Sequence, residues 1–204
     1  MAHRTGRAVL LVRHGETAWS RTGQHTGTTD VPLTDDGRRH AARLRPRLAE
    51  RDFALVLTSP LGRARETCGL AGLGGHAEVD DDLREYDYGT YEGLTTREIR
   101  RRRPGWYLWR DGCPDGEMPE QAAARADRVI ERALAADGDV CLVAHGHILR
   151  VVGARWLELP PSAAGRLALG TAAVCDLGFE REIRVTWLWN DTSHIDPPAL
   201  AVEH

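Results

Sequence analysis

At 204 residues the chain is long enough for one domain with a real core, at roughly 100–200 residues per domain, and short for two, so residues 1–204 read as a single domain. Apolar residues make up 42% and charged residues 28%, which excludes a disordered chain and a membrane span. A net charge of −3 argues against nucleic acid or an anionic membrane as the main partner.

In chain order, Ala8 to Val12 is a continuously apolar run ending in Arg13, His14 and Gly15, as expected of a strand buried on both faces. The run is shorter than a signal peptide's apolar core of about 7–15 residues, which points to a cytoplasmic protein. Thr34 precedes a helical pattern reaching about Glu50, with a kink expected at Pro46. Phe53 to Leu57 is a second apolar strand. Ser59 and Pro60 read as the N-cap and first residue of a helix through about Leu70, stopped by Gly72, Gly74 and Gly75. A weaker strand covers Ala77 to Val79, and Asp80 to Gly93 is irregular.

Thr95 to Glu98 matches a capping box and opens a short helix ended by Pro104 and Gly105. Pro119 to Ala136 is a long helical pattern closed by Gly138. Asp139 to Ala144 is a third buried strand, followed by a helix from His145-Gly146 to about Leu157. Ala172 to Phe179 and Ile183 to Trp189 read as a strand pair in which Trp187 and Trp189 share one face. Strand and helix alternate throughout, which predicts a three-layer α/β/α sandwich with a mostly parallel central sheet. Cys68, Cys113, Cys141 and Cys175 lie far apart, as expected of buried, reduced thiols.

Ligands of open parallel sheets bind beyond the carboxyl ends of the strands. The residues there are Arg13 and His14, then Arg63 and Arg65, then Arg84 and Glu85, then His145 and His147. All 27 basic residues are arginine, so each arginine has to be justified by its position. Such a set suits a phosphate monoester. Guanidinium forks neutralise the charge on a phosphoryl group in flight, neutral imidazole is a nucleophile near neutral pH, and a carboxylic acid can protonate the departing alkoxide.

Leu11-Val-Arg13-His14-Gly15-Glu16-Thr17 resembles the opening signature of the histidine phosphatase (phosphoglycerate mutase-like) superfamily. Asp30-Val-Pro-Leu33-Thr34-Asp-Asp-Gly37, Ser59-Pro60-Leu61-Gly-Arg63-Ala64-Arg-Glu-Thr67, Leu83-Arg-Glu85 with Gly89 and Tyr91-Glu92-Gly93, and Val143-Ala-His145-Gly146-His147 resemble its further motifs, in order. The resemblance implies metal-independent phosphoryl transfer without a cofactor, with His14 as nucleophile. Arg13, Arg63 and His145 are then the phosphoryl clamp and Glu85 the proton donor, preferred over Asp87 for its spacing to Gly89. Trp19 to Gly27 and Tyr88 to Gly93 look most like the branch of sedoheptulose-bisphosphatase and broad-specificity acid phosphatases. That likeness implies small phosphomonoester substrates and contacts from Ser20, Gln24, Thr26, Gly27, Tyr88 and Gly146; family habit also implies a homodimer. The mutases' E-R-H-Y-G segment is Glu85-Tyr-Asp-Tyr88-Gly89 here, which favours a phosphatase over a cofactor-dependent mutase. Ser20 stands where many relatives carry asparagine, and Met118 where serine is common. A non-catalytic phosphate-binding module is the reading from a different class, and only turnover excludes it.

Blander readings attach to other residues. Taken alone, His14 could be a structural histidine beside a sheet edge. His145 and His147 lack a third metal ligand of fitting spacing, and neighbouring arginines repel a cation, so no metal is expected and His147 reads either as a residue behind the catalytic groups or as a helix-start residue. Arg65 reads as a helix-surface arginine and Arg100 to Arg103 as a solvated helix end. Trp106, Tyr107 and Trp109 fit either core or an aromatic wall over the pocket. His25 and His76 read as exposed.

Overall fold

In a computed structural model, which describes residues 5–195, six strands form one sheet in the order β3-β2-β4-β1-β5-β6. The strands are β1 (Thr5–Arg13), β2 (Phe53–Thr58), β3 (Ala77–Val79), β4 (Asp139–Ala144), β5 (Val174–Glu180) and β6 (Ile183–Asp191). β3, β2, β4 and β1 run parallel, while β5 is antiparallel to β1 and β6 to β5. The helices are α1 (Ala18–Thr22), α2 (Asp35–Ala42), α3 (Arg45–Ala49), α4 (Gly62–Leu70), α5 (Thr96–Arg102), α6 (Leu108–Asp111), α7 (Pro119–Ala135) and α8 (Gly146–Trp156). No helix of the described residues is long and apolar enough to cross a membrane.

Side chains alternate along a strand, so β1 and β4, apolar throughout residues 8–12 and 140–144, feed two cores. Val9, Leu11, Val140 and Leu142 pack on one face with Ala122, Ala126 and Val129 of α7 and Ile148 and Val152 of α8. Leu10, Val12, Cys141 and Val143 pack on the other with Leu44, Leu48 and Cys68. The sandwich is therefore the predicted one, and all four cysteines are buried and free.

Three local expectations change. The helix after Thr34 does not kink at Pro46: it stops at Ala42 and restarts at Arg45, because proline has no N–H to donate and is tolerated only in a first turn. Ser59 does not cap α4. That helix starts at Gly62, and its first amides are met by Asp30, whose carboxylate accepts from Gly62 N at 2.6 Å and Arg63 N at 3.4 Å. Finally, a register shift between the Asp176–Leu188 and Leu177–Thr186 pairs interrupts the alternation of β6. Trp189 lies against Gly153 of α8 and Trp187 against Gly178 of β5, so the two indoles do not share a face.

The segment between β3 and α7 folds over the carboxyl edge of the sheet, and Gly89 fixes its path. Its φ is +49°, and a Cβ there would fall 2.1 Å from the Pro114 carbonyl. Gly89→Ala is expected to cost about 3 kcal/mol from overpacking and backbone strain. In a thermal melt that is a fall in Tm of roughly 5–10 °C, and an unchanged Tm would refute this account of the turn.

Candidate active site

The parallel strands deliver their chemistry at one edge. His14 follows β1 directly; its N–H donates to Ala144 O at 2.9 Å and its carbonyl accepts from Ala172 N at 3.0 Å, which pins the residue between β4 and β5. A Cβ on Gly15 would sit 2.4 Å from Gly37 O, so only glycine lets the chain turn here. The His14 ring is buried, and its Nδ1 lies 2.7 Å from the Gly15 carbonyl. A carbonyl only accepts, so Nδ1 carries the proton and Nε2 the lone pair. Burial, and then the charges of Arg13 and Arg63, push the imidazole down to about 3.

Two guanidinium groups flank it. Arg13 donates from Nη1 to Leu169 O at 2.5 Å, while its buried Nε has no partner. Arg13 lies against the start of α8, where a Cβ on Gly146 would come within 3.1 Å of Cζ. Arg63 is wholly buried and donates to the carbonyls of Thr29 at 2.9 Å, Thr26 at 3.1 Å and Gly27 at 2.9 Å, so it holds the 26–30 loop in place. Its Nε donates to His145 Nδ1 at 3.1 Å. His145 is therefore protonated on Nε2, which donates to Ser59 Oγ at 2.7 Å. Burial and the Arg63 charge hold His145 well below the ordinary histidine range, and its ring meets His14 edge-on with centroids 5.0 Å apart.

Glu85 reaches the same place from the other side. Its buried carboxylate accepts from Tyr86 N at 2.9 Å and, at the amino end of α8, from His147 N at 3.0 Å and Ile148 N at 2.9 Å. Burial alone would raise its affinity for a proton, but the hydrogen bonds from His147 at the amino end of α8 outweigh it and hold the group well below the usual carboxylate range. A cavity of about 420 Å³ opens beside it, lined by Gly27, Leu61, Arg84, Glu85, Asp87 and Glu117 among others. His14 is not in that lining; Glu85, whose charge acts on the His14 ring, is.

The outer residues are placed less directly. Ser20 Oγ accepts from Thr17 N at 2.9 Å and so belongs to the cap of α1. Gln24 donates to Gly93 O at 2.8 Å, and Gly27 N donates to Glu92 at 2.9 Å, so these residues shape the loop that Arg63 grips. His25 is not exposed: it is half-buried against Tyr88 and Trp106, with centroids 4.7 and 5.8 Å away, and burial pushes it down to about 4. Trp106 and Trp109 are buried while Tyr107 is exposed, and the Arg150 guanidinium stacks 4.8 Å over Trp109. Arg65 and Arg100 to Arg103 are exposed, as expected. The roles of Ser59, Asp30, Glu92 and Arg150 were not foreseen; Ser59, Asp30 and Glu92 lie inside recognised motifs, which was the available signal.

Residues 9–192 match the family model described as histidine phosphatase superfamily (branch 1). An acid phosphatase of Mycobacterium tuberculosis is 45% identical over 94% of this chain and 96% of its own length. A sedoheptulose 1,7-bisphosphatase of Saccharomyces cerevisiae is 38% identical over 74% of this chain and 67% of its own. Among solved structures, the product of a Mycobacterium tuberculosis open reading frame superposes with a TM-score of 0.87 at 43% identity, covering 91% of this chain and 98% of that one.

Proposed function

Because the chain belongs to branch 1 of the histidine phosphatase superfamily, we propose that it hydrolyses small phosphorylated metabolites through a phosphohistidine on His14. The observation that carries this reading is a neutral, buried imidazole with a committed Nδ1 proton, set between two guanidinium groups. In the first step His14 Nε2 forms a bond to phosphorus as the ester P–O bond breaks, and the departing oxygen takes a proton from Glu85. In the second, water attacks phosphorus, the N–P bond breaks and Glu85 recovers the proton.

Arg13, whose buried Nε is unspent, and the backbone at Gly146 take the phosphoryl oxygens with His145 Nε2–H, while Arg63, its donors engaged by the 26–30 loop and His145, adds positive charge beside them. The guanidinium groups thereby supply the positive charge that a metal ion supplies elsewhere. Gly27 and Tyr88 border the path to the leaving group, and the loop of Ser20, Gln24 and Thr26 frames its mouth. Glu85 is ionised before substrate enters; an entering phosphate brings like charge beside it and favours the acid form.

Two results test this. Inorganic phosphate is expected from a panel of sugar phosphates and an aryl phosphate in excess chelator, and release that needs added metal would refute the mechanism. The free enzyme's nucleophile remains unprotonated until about pH 3, so kcat/KM for the aryl phosphate should show no histidine limb near pH 6.5 on the acid side. A fall of activity there that follows His14 titration by NMR would contradict it.

A further inference from the structure

The proton donor's neighbours form a pair that the reaction as described does not use. The Tyr88 hydroxyl lies 2.5 Å from His147 Nδ1, and that same nitrogen lies 3.8 Å from Glu85 Oε2. The His147 backbone N–H also donates to Glu85, so one residue meets the carboxylate with both its amide and its ring. The ring is boxed in by Trp109 and His25, with centroids 5.3 and 5.8 Å away, and cannot swing aside freely. Resting on the reading of Glu85 as proton donor, we propose that Tyr88 and His147 are positioning residues that hold Glu85 in place and set the pH range over which it can donate its proton.

The chemistry of the contact gives the direction of each partner's effect. Burial and the Glu85 charge keep Tyr88 a phenol, and in the proposed arrangement its proton is donated to His147 Nδ1. That hydrogen bond occupies the lone pair which would otherwise be protonated, and keeps the ring neutral beside a carboxylate. Without the hydroxyl, Nδ1 is free to become cationic and pair with Glu85, which would then give up its proton too readily to serve as an acid. With leucine in place of the imidazole, the buried carboxylate faces an apolar side chain instead of a polar ring, which disfavours its ionised form, so Glu85 holds its proton to higher pH. The other charged and titratable groups around the pair are Arg13 of β1, His25 of the loop after α1, Arg63 of α4, Glu92 and Cys113 beside Tyr88, and His145 and Arg150 of α8, with His14 beyond them. Both substitutions leave these groups in place, and His25, which packs on both rings, meets each variant alike, so they form a common background for both.

The test is the alkaline limb of kcat, which reports the complex in which Glu85 is the acid, for an alkyl phosphate, which needs that acid, beside an aryl phosphate with a good leaving group, which does not. Tyr88→Phe is expected to move that limb down by about one pH unit, and His147→Leu to move it up by about the same amount. The substrate's own ionisation is shared by all variants and cancels, and the aryl phosphate profile should not shift. Opposite displacements from two halves of one contact are not expected of a merely structural pair. Limbs that stay put, or that move together, overturn the proposal; His147→Ala substitutes if the leucine variant does not fold. Glu85→Gln measured alongside separates the two failures. Equal losses on both substrates would remove Glu85 as the acid and this proposal with it, whereas a selective loss with unmoved limbs would remove the proposal alone.

Discussion

His14→Ala should lose phosphate release by about 10⁴-fold or more on every substrate, with the fold intact. The expectation follows from the division of labour at the site. Arg13, Arg63 and His145 can still bind a phosphate in the variant, but none presents a free lone pair to phosphorus. His145 has its Nδ1 taken by Arg63 and a proton on Nε2, so it does not replace the nucleophile. Binding should outlast turnover: inorganic phosphate is expected to inhibit or protect the variant much as it does the parent. Turnover within about tenfold of the parent would mean that water attacks the substrate directly and that the histidine only binds.

Glu85→Gln is expected to separate substrates by their leaving groups. An alkoxide leaves badly without a proton, so alkyl and sugar phosphates should lose about 10²–10⁴-fold, whereas an activated aryl phosphate should stay within about tenfold. Glutamine keeps an oxygen for the amides of His147 and Ile148, so the amino end of α8 remains capped and a loss of fold is not the expected cause. A thermal melt of the variant checks that point. A uniform loss across leaving groups would place the acid elsewhere, with Asp87, on the cavity wall, the next group to test.

Much of the architecture was legible because the buried strands carry unbroken apolar runs and each is followed by a polar break. Ala8 to Val12, Phe53 to Leu57 and Asp139 to Ala144 could scarcely be anything else, and the residues just past them assemble the site. What was not legible depended on partners distant in sequence. Ser59 had the local signature of a cap, yet Asp30 meets the first amides of α4 and leaves Ser59 to His145. His25 carried no pattern of its own and is half-buried only because Tyr88 and Trp106 close over it. The bulge that parts Trp187 from Trp189 is a matter of pairing register, which period-two alternation does not encode. The charge state of Glu85 was hidden as well, since it is set by the amino end of α8, some sixty residues later in the chain.

The central claim is that phosphate passes through His14, and rapid quenching of the enzyme with labelled substrate tests it most directly. Label should accumulate on a single peptide, the one containing His14, in a bond that survives alkali and is lost in acid, as a phosphohistidine is. Turnover at full rate with no label on the protein, or with the label on any other residue, would contradict the account.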